Sequence, residues 1–537
     1  MRTGNLAERR LLAAAVLAGL GASATIIHFT GTATPSPGVP VSAASDTAAP
    51  AAAGGAPPAS CPADPLYPKR QLRGVWIATV RNIDWPSKPG LTPQRQRAEY
   101  LRILDNAAKR RFNAVFVQLR PASDALYASP YEPWSHWLSG KPGKSPGWDP
   151  LPFLIAEAHR RGMEFHAWFN PYRAAPDDKT AKLPRTHPAR LNPSWTVRRE
   201  GNLYYNPGLP QVRNHITKIV KDVVSRYDVD GVHFDDYFYP YPGKGTKFDD
   251  DAAYARYGQG KTRAAWRRDN VNRLIAQVSA TVRRTKERVK FGVSPFGIWR
   301  NASTDPTGSD TRGMQSYDDI HADSRTWIRR GWIDYVVPQL YWPRGLKIAN
   351  YAKLLPWWAN EVKGTPVHLY IGQALYRVGA TDSPAWTRPG ELPAHLTLGR
   401  KHPEVRGDVY FSARQLAGNP LGVLDLLTRD HYARPALLPL MTPRGGAAPA
   451  APTGTRIEGG RLTWTGSAGA RSYAVYRVPG EVGEPGCALT DASNLLAVVP
   501  ETTYTDGSAD PARKYTYFVT ALDPLQHESA PASPGSR

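Results

Sequence analysis

The chain has 537 residues, 41% of them hydrophobic, with 16 Trp and 26 Tyr, which is too long for one ordinary domain and ample for a sizeable core. Its 68 basic against 46 acidic residues leave a formal charge of +22, favouring anionic surroundings such as envelope polymers, acidic glycans or nucleic acid. Nucleic acid is set aside because the Lys and Arg residues are scattered, without zinc spacing, an aromatic RNP-like strand or a recognition-helix signature; Cys61 and Cys487, paired or not, cannot build a disulfide framework, and no Cys/His cluster is spaced for a metal, so neither metal nor cofactor is expected.

Residues 1–24 have the form of an export signal: Arg2, Arg9 and Arg10, then an apolar run over 11–21, then small residues. A secreted or cell-envelope location follows. The run continues through Ile26, Ile27 and Phe29, so cleavage after Ala22 or Ala24 and an uncleaved anchor both stay open, and this segment is the only membrane contact expected. Residues 25–65, mostly Ala, Pro, Gly, Ser and Thr, cannot bury a core and read as a disordered spacer.

From Leu72 to about Leu440 apolar strands alternate with helical stretches. Strands are expected over 73–80, 114–121, 163–170, 230–236, 290–295, 334–340, 367–371 and 407–411, with helices over 94–111, 151–162, 212–227, 271–287 and up to Arg330. Eight such alternations predict a (β/α)₈ TIM barrel over 66–433. A doubly wound open sheet would carry a Gly-rich phosphate turn after its first strand, and none is present. Residues 434–453, rich in Pro, Ala and Gly, are a linker, and 454–537 hold short alternating strands around Trp464, Tyr473 to Arg477 and Tyr515 to Ala521. The last segment resembles a small all-β fibronectin type III-like sandwich.

The most informative stretch is DGVHFDDYFYP, Asp230 to Pro240. With strand periodicity Val232 and Phe234 face the helices, while Gly231, His233, Asp235 and Tyr237 face the barrel interior. Asp235 is then the inward carboxylate, and Asp236 stands where the strand breaks into an aromatic loop. Acids at strand ends also cap their own loops, so the other strand ends matter. Strand two ends in Gln118 and Arg120 and runs on to Asp124; strand three carries His166, Trp168 and Asn170, with Tyr172 and Arg173 beyond. Later strand ends add Trp299, Gln339, Tyr341 and Trp342. His166 and His233 taken singly read as satisfied structural histidines, and Trp168 or Trp342 as core. Together, amides, guanidinium groups and aromatics at one rim suit a sugar, whose C–H faces stack on rings and whose hydroxyls need paired polar groups.

Glycoside hydrolysis ordinarily needs two carboxyls. Asp235 is expected as acid or nucleophile, Asp236 as the neighbour whose charge raises its pKa, and Asp124 as the second carboxyl across the cleft. Asp84 and Glu132 are further candidates on more distant loops. Without a carboxyl across the cleft, assistance by a 2-acetamido group is the economical route and implies an N-acetylated sugar.

RGVWIATVRNIDWP (Arg73 to Pro86), QLRPASDALY (Gln118 to Tyr127), EPWS (Glu132 to Ser135), AWFNPYR (Ala167 to Arg173), DGVHFDDYFYP and PQLYWP (Pro338 to Pro343) together resemble the glycosyl-hydrolase-like ten family. The resemblance covers about residues 70 to 430. It implies a secreted bacterial glycosidase, in a family that includes an envelope enzyme cutting peptidoglycan glycan strands stripped of their stem peptides. Asp235 and Asp236 match its acidic strand-four motif and Asp124 the acid of its strand-two loop. The strand-four motif is also similar to the DGxDxDxE strand of chitinases, but Tyr237 stands where their catalytic Glu would be. The resulting expectation is an exported hydrolase of an N-acetylated glycan, foremost the peptidoglycan backbone. The alternatives are a hydrolase of an α-glucan or exopolysaccharide, and a non-catalytic glycan-binding barrel that holds the protein on the wall.

Overall fold

Eight strands close into one parallel ring in a computed structural model that describes residues 61, 64, 67–243, 245, 247–532 and 535–536. They are β1 (Leu72–Ile77), β2 (Ala114–Arg120), β3 (Glu164–Phe169), β4 (Gly231–Phe234), β5 (Lys290–Val293), β6 (Tyr335–Val336), β7 (His368–Gln373) and β8 (Val405–Tyr410). Each pairs with its sequence neighbours, and β1 closes on β8 through Leu72 opposite Gly407 and Val75 opposite Tyr410. One principal helix follows each strand: α1 (Pro93–Lys109), α2 (Pro150–His159), α3 (Pro210–Arg226), α4 (Arg263–Thr285), α5 (Ser324–Arg329), α6 (Tyr351–Val362), α7 (Glu391–Gly399) and α8 (Val423–Asp430). This is the expected (β/α)₈ barrel.

Local chemistry accounts for the boundaries. Thr92 and Asp149 cap α1 and α2 by accepting from Arg95 N and Leu151 N, each with proline at the first helical position. The strands are buried on both faces, as a parallel sheet covered by helices requires. Outward residues such as Val75, Val117, Phe165, Val232 and Phe291 pack with the helices, while Trp76, Phe116, Trp168, Tyr335 and Tyr370 fill the interior. Gly231 and Gly292 make that filling possible: a Cβ would lie 2.2 Å from a His166 ring atom in the first case and 2.2 Å from a Tyr335 ring atom in the second. The sixth strand is shorter than predicted. Regular pairing stops after Val336 because Pro338 has no N–H, although Gln339 N still reaches Pro295 O at 3.0 Å.

The linker is pinned at its start to the N-terminal end of the barrel. Leu437 exchanges backbone hydrogen bonds with Lys69 and Gln71, both at 2.8 Å. Arg444, 4% exposed in its side chain, pairs with Asp334 and donates to the carbonyls of Glu287 and Val289. Beyond it lie two antiparallel sheets, one of β9 (Thr453–Glu458), β10 (Arg461–Thr465) and β13 (Thr503–Thr505), the other centred on β11 (Ser472–Pro479), β12 (Leu495–Val499) and β14 (Tyr515–Leu522). Leu462, Trp464, Val475 and Val519 form the core between them, and the opposite face of the second sheet buries Leu437 with Tyr476 and Phe518. Arg471 extends from this domain to Asp228 at 2.9 Å, and Lys69 and Arg70 before β1 pair with Glu528.

The export signal expected at 1–24 lies outside the described residues, as does the spacer expected at 25–65 apart from Cys61 and Asp64. Neither cysteine is a free thiol. Among the described residues no helix is long and apolar enough to cross a membrane, and no group of three or more His, Cys, Asp or Glu is arranged to hold a metal ion.

Removing one partner of a buried ion pair strands the other, at a cost of about 3–5 kcal/mol. Arg444→Met should therefore lower unfolding stability by that order in urea titration. The double variant Arg444→Met, Asp334→Asn should recover part of the loss.

Candidate active site

Asp235 and Asp236 follow directly on the C-terminal end of β4, each 4% exposed. The floor beneath them is a polar aromatic plug. His233, two residues before Asp235 on the same strand face, lies 3.0 Å from Ser294 Oγ and accepts at Nε2 from Trp76 Nε1 at 3.3 Å. Its Nδ1 faces the Tyr335 hydroxyl, which also meets His166 Nδ1 at 2.9 Å, and His166 Nε2 pairs with Glu164 at 3.0 Å. Burial, then the charge of His166, holds His233 well below the usual histidine pKa, so it is neutral.

Asp235 is held unevenly. Its Oδ2 accepts from Trp168 Nε1 at 3.0 Å and Asn170 Nδ2 at 3.1 Å; its Oδ1 has only longer contacts, 3.3 Å each, to Asn170 Nδ2 and the Tyr237 amide. Burial, then the charge of Asp236, pushes the Asp235 carboxyl up to about 7, against the pull of Arg173 and of the Trp168 and Tyr237 donors. Asp236 is also raised by burial, but the Tyr241 hydroxyl and the Gln339 side chain donate to it and restrain the rise. Gln339 is itself fixed by the hydrogen bond its Nε2 donates to Ser294 O at 3.0 Å. Two adjacent carboxyls out of water cannot readily both ionise, so near neutrality the pair keeps one proton, with Asp235 the group more strongly biased to hold it.

The wall around the pair is half-buried and aromatic. The Arg173 guanidinium stacks 3.7 Å from the centre of the Tyr237 ring and acts electrostatically on both carboxyls. Tyr237 meets Tyr241 edge-on at 5.3 Å, Tyr241 leads to Phe296, and Phe296 to Trp342 at 5.3 Å. Tyr341, whose hydroxyl senses Asp236 and Tyr237, packs edge-on against Tyr376 at 5.8 Å. The structure thus brings together Asp235, Asp236, Trp168, Asn170, Tyr237, Gln339 and Tyr341 of the residues expected from sequence, with Trp342 at the end of the aromatic wall.

Several expected sugar contacts are occupied by the protein itself. Gln118 Oε1 accepts from Thr79 N and Val80 N, tying the loop after β1 to β2. Arg120 forms a two-pronged bond with Glu132 at 2.7 and 2.6 Å and also donates to Pro171 O, which braces the loops after β2 and β3. Burial alone would raise Glu132, but Arg120 and His215 hold it far below the carboxylate range, ruling it out as a proton donor. His166 and His233, both 0% exposed, belong to the plug below the pair. Tyr172 is in the core with the helices. Trp299 is 5% exposed, stacked 6.0 Å from Trp357 and covered by Arg325 at 4.4 Å, so neither face is presented to a cleft.

The other acids are likewise engaged. Burial pushes Asp124 and Asp84 up to about 6 each. Asp124, however, binds the Ala122 amide at 2.9 Å and the Ser135 side chain, serving its own loop. Asp84 joins the loop after β1 to the end of β8 by accepting from Ala78 N, Ser412 Oγ and Arg414 N, each at 2.7 Å. Arg173, Tyr241, Phe296 and Tyr376 were not singled out from sequence as site residues. Arg173 is the last residue of the strand-three motif and Tyr241 directly follows the strand-four motif, which is the signal that could have found them.

The chain matches the family model described as glycosyl hydrolase-like 10 over residues 71–388, a stretch that holds the acidic pair, Arg173 and Tyr341. It is 46% identical over 478 residues to the glycosyl hydrolase YngK of Bacillus subtilis, covering 86% of this chain and 92% of that protein. It is 42% identical over 380 residues to the glycosyl hydrolase DigH of Escherichia coli K12, covering 66% of this chain and 86% of that one. Among solved structures, the glycoside hydrolase domain of PgaB (BpsB) from Bordetella bronchiseptica aligns at 14% identity with a TM-score of 0.44, covering 68% of this chain and 99% of that chain. With its acidic pair inside the matched stretch, the chain belongs to the glycosyl hydrolase-like 10 family and is a glycoside hydrolase of polysaccharide.

Proposed function

We propose that this glycoside hydrolase is exported and cuts the glycan strands of peptidoglycan, an N-acetylated and carboxylate-bearing polymer. The observation that carries the reading is the buried Asp235–Asp236 pair beside the Arg173 guanidinium, which forms no direct ion pair among the described residues. A cation at the reacting end of the cleft suits a sugar with an acidic substituent better than a neutral glucan. The antiparallel domain at 454–537, taken as fibronectin type III-like, serves as a foot on the far end of the barrel.

In this mechanism Asp235 is the general acid. Its Oδ2 is anchored by Trp168 and Asn170, so the proton resides on the less engaged Oδ1 and passes to the leaving glycosidic oxygen. With Asp124 and Asp84 committed to their loops, the attacking group is the substrate's own 2-acetamido carbonyl oxygen, which bonds to C1 as the glycosidic bond breaks. Asp236, ionised and aimed by Tyr241 and Gln339, accepts the acetamido N–H and balances the charge that forms on the ring. Water then opens the cyclic intermediate, returning its proton to Asp235.

Incubating the full chain with peptide-free wall glycan and reading fragments by mass spectrometry tests this proposal. Loss of the acid should cost a factor of about 10²–10⁴, so Asp235→Asn should release almost nothing while melting normally. Full activity in that variant would remove Asp235 from the chemistry, and an inert wild type would remove the substrate.

The acid must be protonated to act, so kcat/KM should fall as pH rises through the Asp235 titration near 7. Arg173 lowers that pKa. Arg173→Gln should consequently move the alkaline limb of the pH profile to higher pH, as well as weakening binding; an unmoved limb would mean that another group sets it.

A further inference from the structure

Between β3 and α3 the chain makes a long excursion over residues 173–205. It folds as a three-stranded antiparallel sheet in which Asn202–Tyr205 lies between Arg173–Ala175 and Thr196–Arg199. Its first residue is the Arg173 of the active site, and Arg199 at its far hairpin donates to Pro240 O at 3.3 Å. The sheet is therefore joined to the Tyr237–Pro242 loop and forms one lip of the catalytic mouth.

This lip carries seven basic residues against three acidic ones. Lys179, Lys182, Arg185, Arg190 and Arg198 are exposed, and none forms an ion pair among the described residues. Arg190 and Arg198 donate instead to the backbone carbonyls of Leu183 at 2.6 Å and Asp178 at 3.4 Å, which fixes their position without neutralising their charge. Asp177 is turned to the Lys179 backbone amide. Exposed cations without an ion pair also occur elsewhere on the barrel, Lys218, Lys221 and Arg284 among them. Position sets this segment apart, since it reaches the mouth through Arg173, stacked on Tyr237, and Arg199, bonded to Pro240 O.

We propose that the lip is a second binding surface, taking the carboxylates repeated along the glycan strand outside the reacting sugar and drawing the strand toward Asp235. The proposal rests on the substrate reading above. Flexible lysines and extended arginines at the edge of a cleft supply long-range attraction and adjustable contacts. Such a surface acts on capture, so it lowers KM and leaves kcat to the acidic pair.

The test uses the full chain and two forms of peptide-free wall glycan, one with free carboxylates and one with them converted to methylamides. Wild type should favour the free form by about tenfold in kcat/KM at low salt, and the preference should shrink at about 0.5 M salt as screening shortens the field. The triple variant Lys179→Glu, Lys182→Glu, Arg185→Glu should raise KM about tenfold for the free form only, with kcat unchanged; the corresponding Gln variant should give an intermediate rise. An unchanged KM, or an equal rise on both glycans, would overturn the lip. If wild type cuts neither glycan, the substrate reading falls, and equilibrium binding to the two uncut polymers decides the lip separately: binding indifferent to the carboxylates and to the triple substitution overturns it.

Discussion

Holding two neighbouring carboxyls out of water is the constraint on which the rest of the site depends. Each loses hydration, and each charge raises the cost of the other. The fold answers with donors from several directions: Trp168 and Asn170 from the end of β3, the Tyr237 amide and Tyr241 from the loop after β4, and Gln339 from the loop after β6. Arg173 adds a compensating charge without contacting either carboxylate as an ion pair. A pair sharing one proton is both the cheapest electrostatic solution and a ready acid with an ionised partner.

Those donors must not drift, and the barrel interior explains why they do not. Glu164, His166, Tyr335, His233 and Ser294 form a connected series of hydrogen bonds beneath the pair, with Lys290 closing it onto Glu164 at the base. Gly231 and Gly292 leave room for the rings. A fully satisfied polar network in a packed interior is rigid, because any displacement breaks bonds that water cannot replace. Around the rim, Gln118 with Thr79, Arg120 with Glu132 and Asp84 with Ser412 do the same for the loops.

The antiparallel domain is fastened at the opposite end of the barrel. Arg444 on Asp334, Arg471 on Asp228, and Lys69 and Arg70 on Glu528 tie it to the N-terminal side of the strands. The catalytic mouth is thereby left to the loops after the strands, where the longest excursion carries an excess of positive charge. Position in a barrel separates the two tasks, since residues at the strands' N-terminal ends serve stability and those at the C-terminal ends serve chemistry.

By itself the sequence determined the alternation of eight strands with helices, the inward parity of His233 and Asp235, and the aromatic character of the mouth. These follow from short-range periodicity, which is written within a few residues of each position. Asp235, Asp236, Trp168, Asn170, Tyr237, Gln339 and Tyr341 could be collected at one rim for that reason. Only the tertiary structure decided which rim residues remain available to a ligand. Gln118, Arg120, Asp124, Tyr172 and Trp299 sit at strand ends or on the loops beyond them, yet each is engaged or enclosed by the protein. His166 and His233 differ from Asp235 only in depth along the barrel axis. The partners that engage such groups stand as far apart in the chain as His166 and Tyr335, or Asp84 and Ser412. Buried polar groups must find partners wherever the fold supplies them, and no local pattern records where that is.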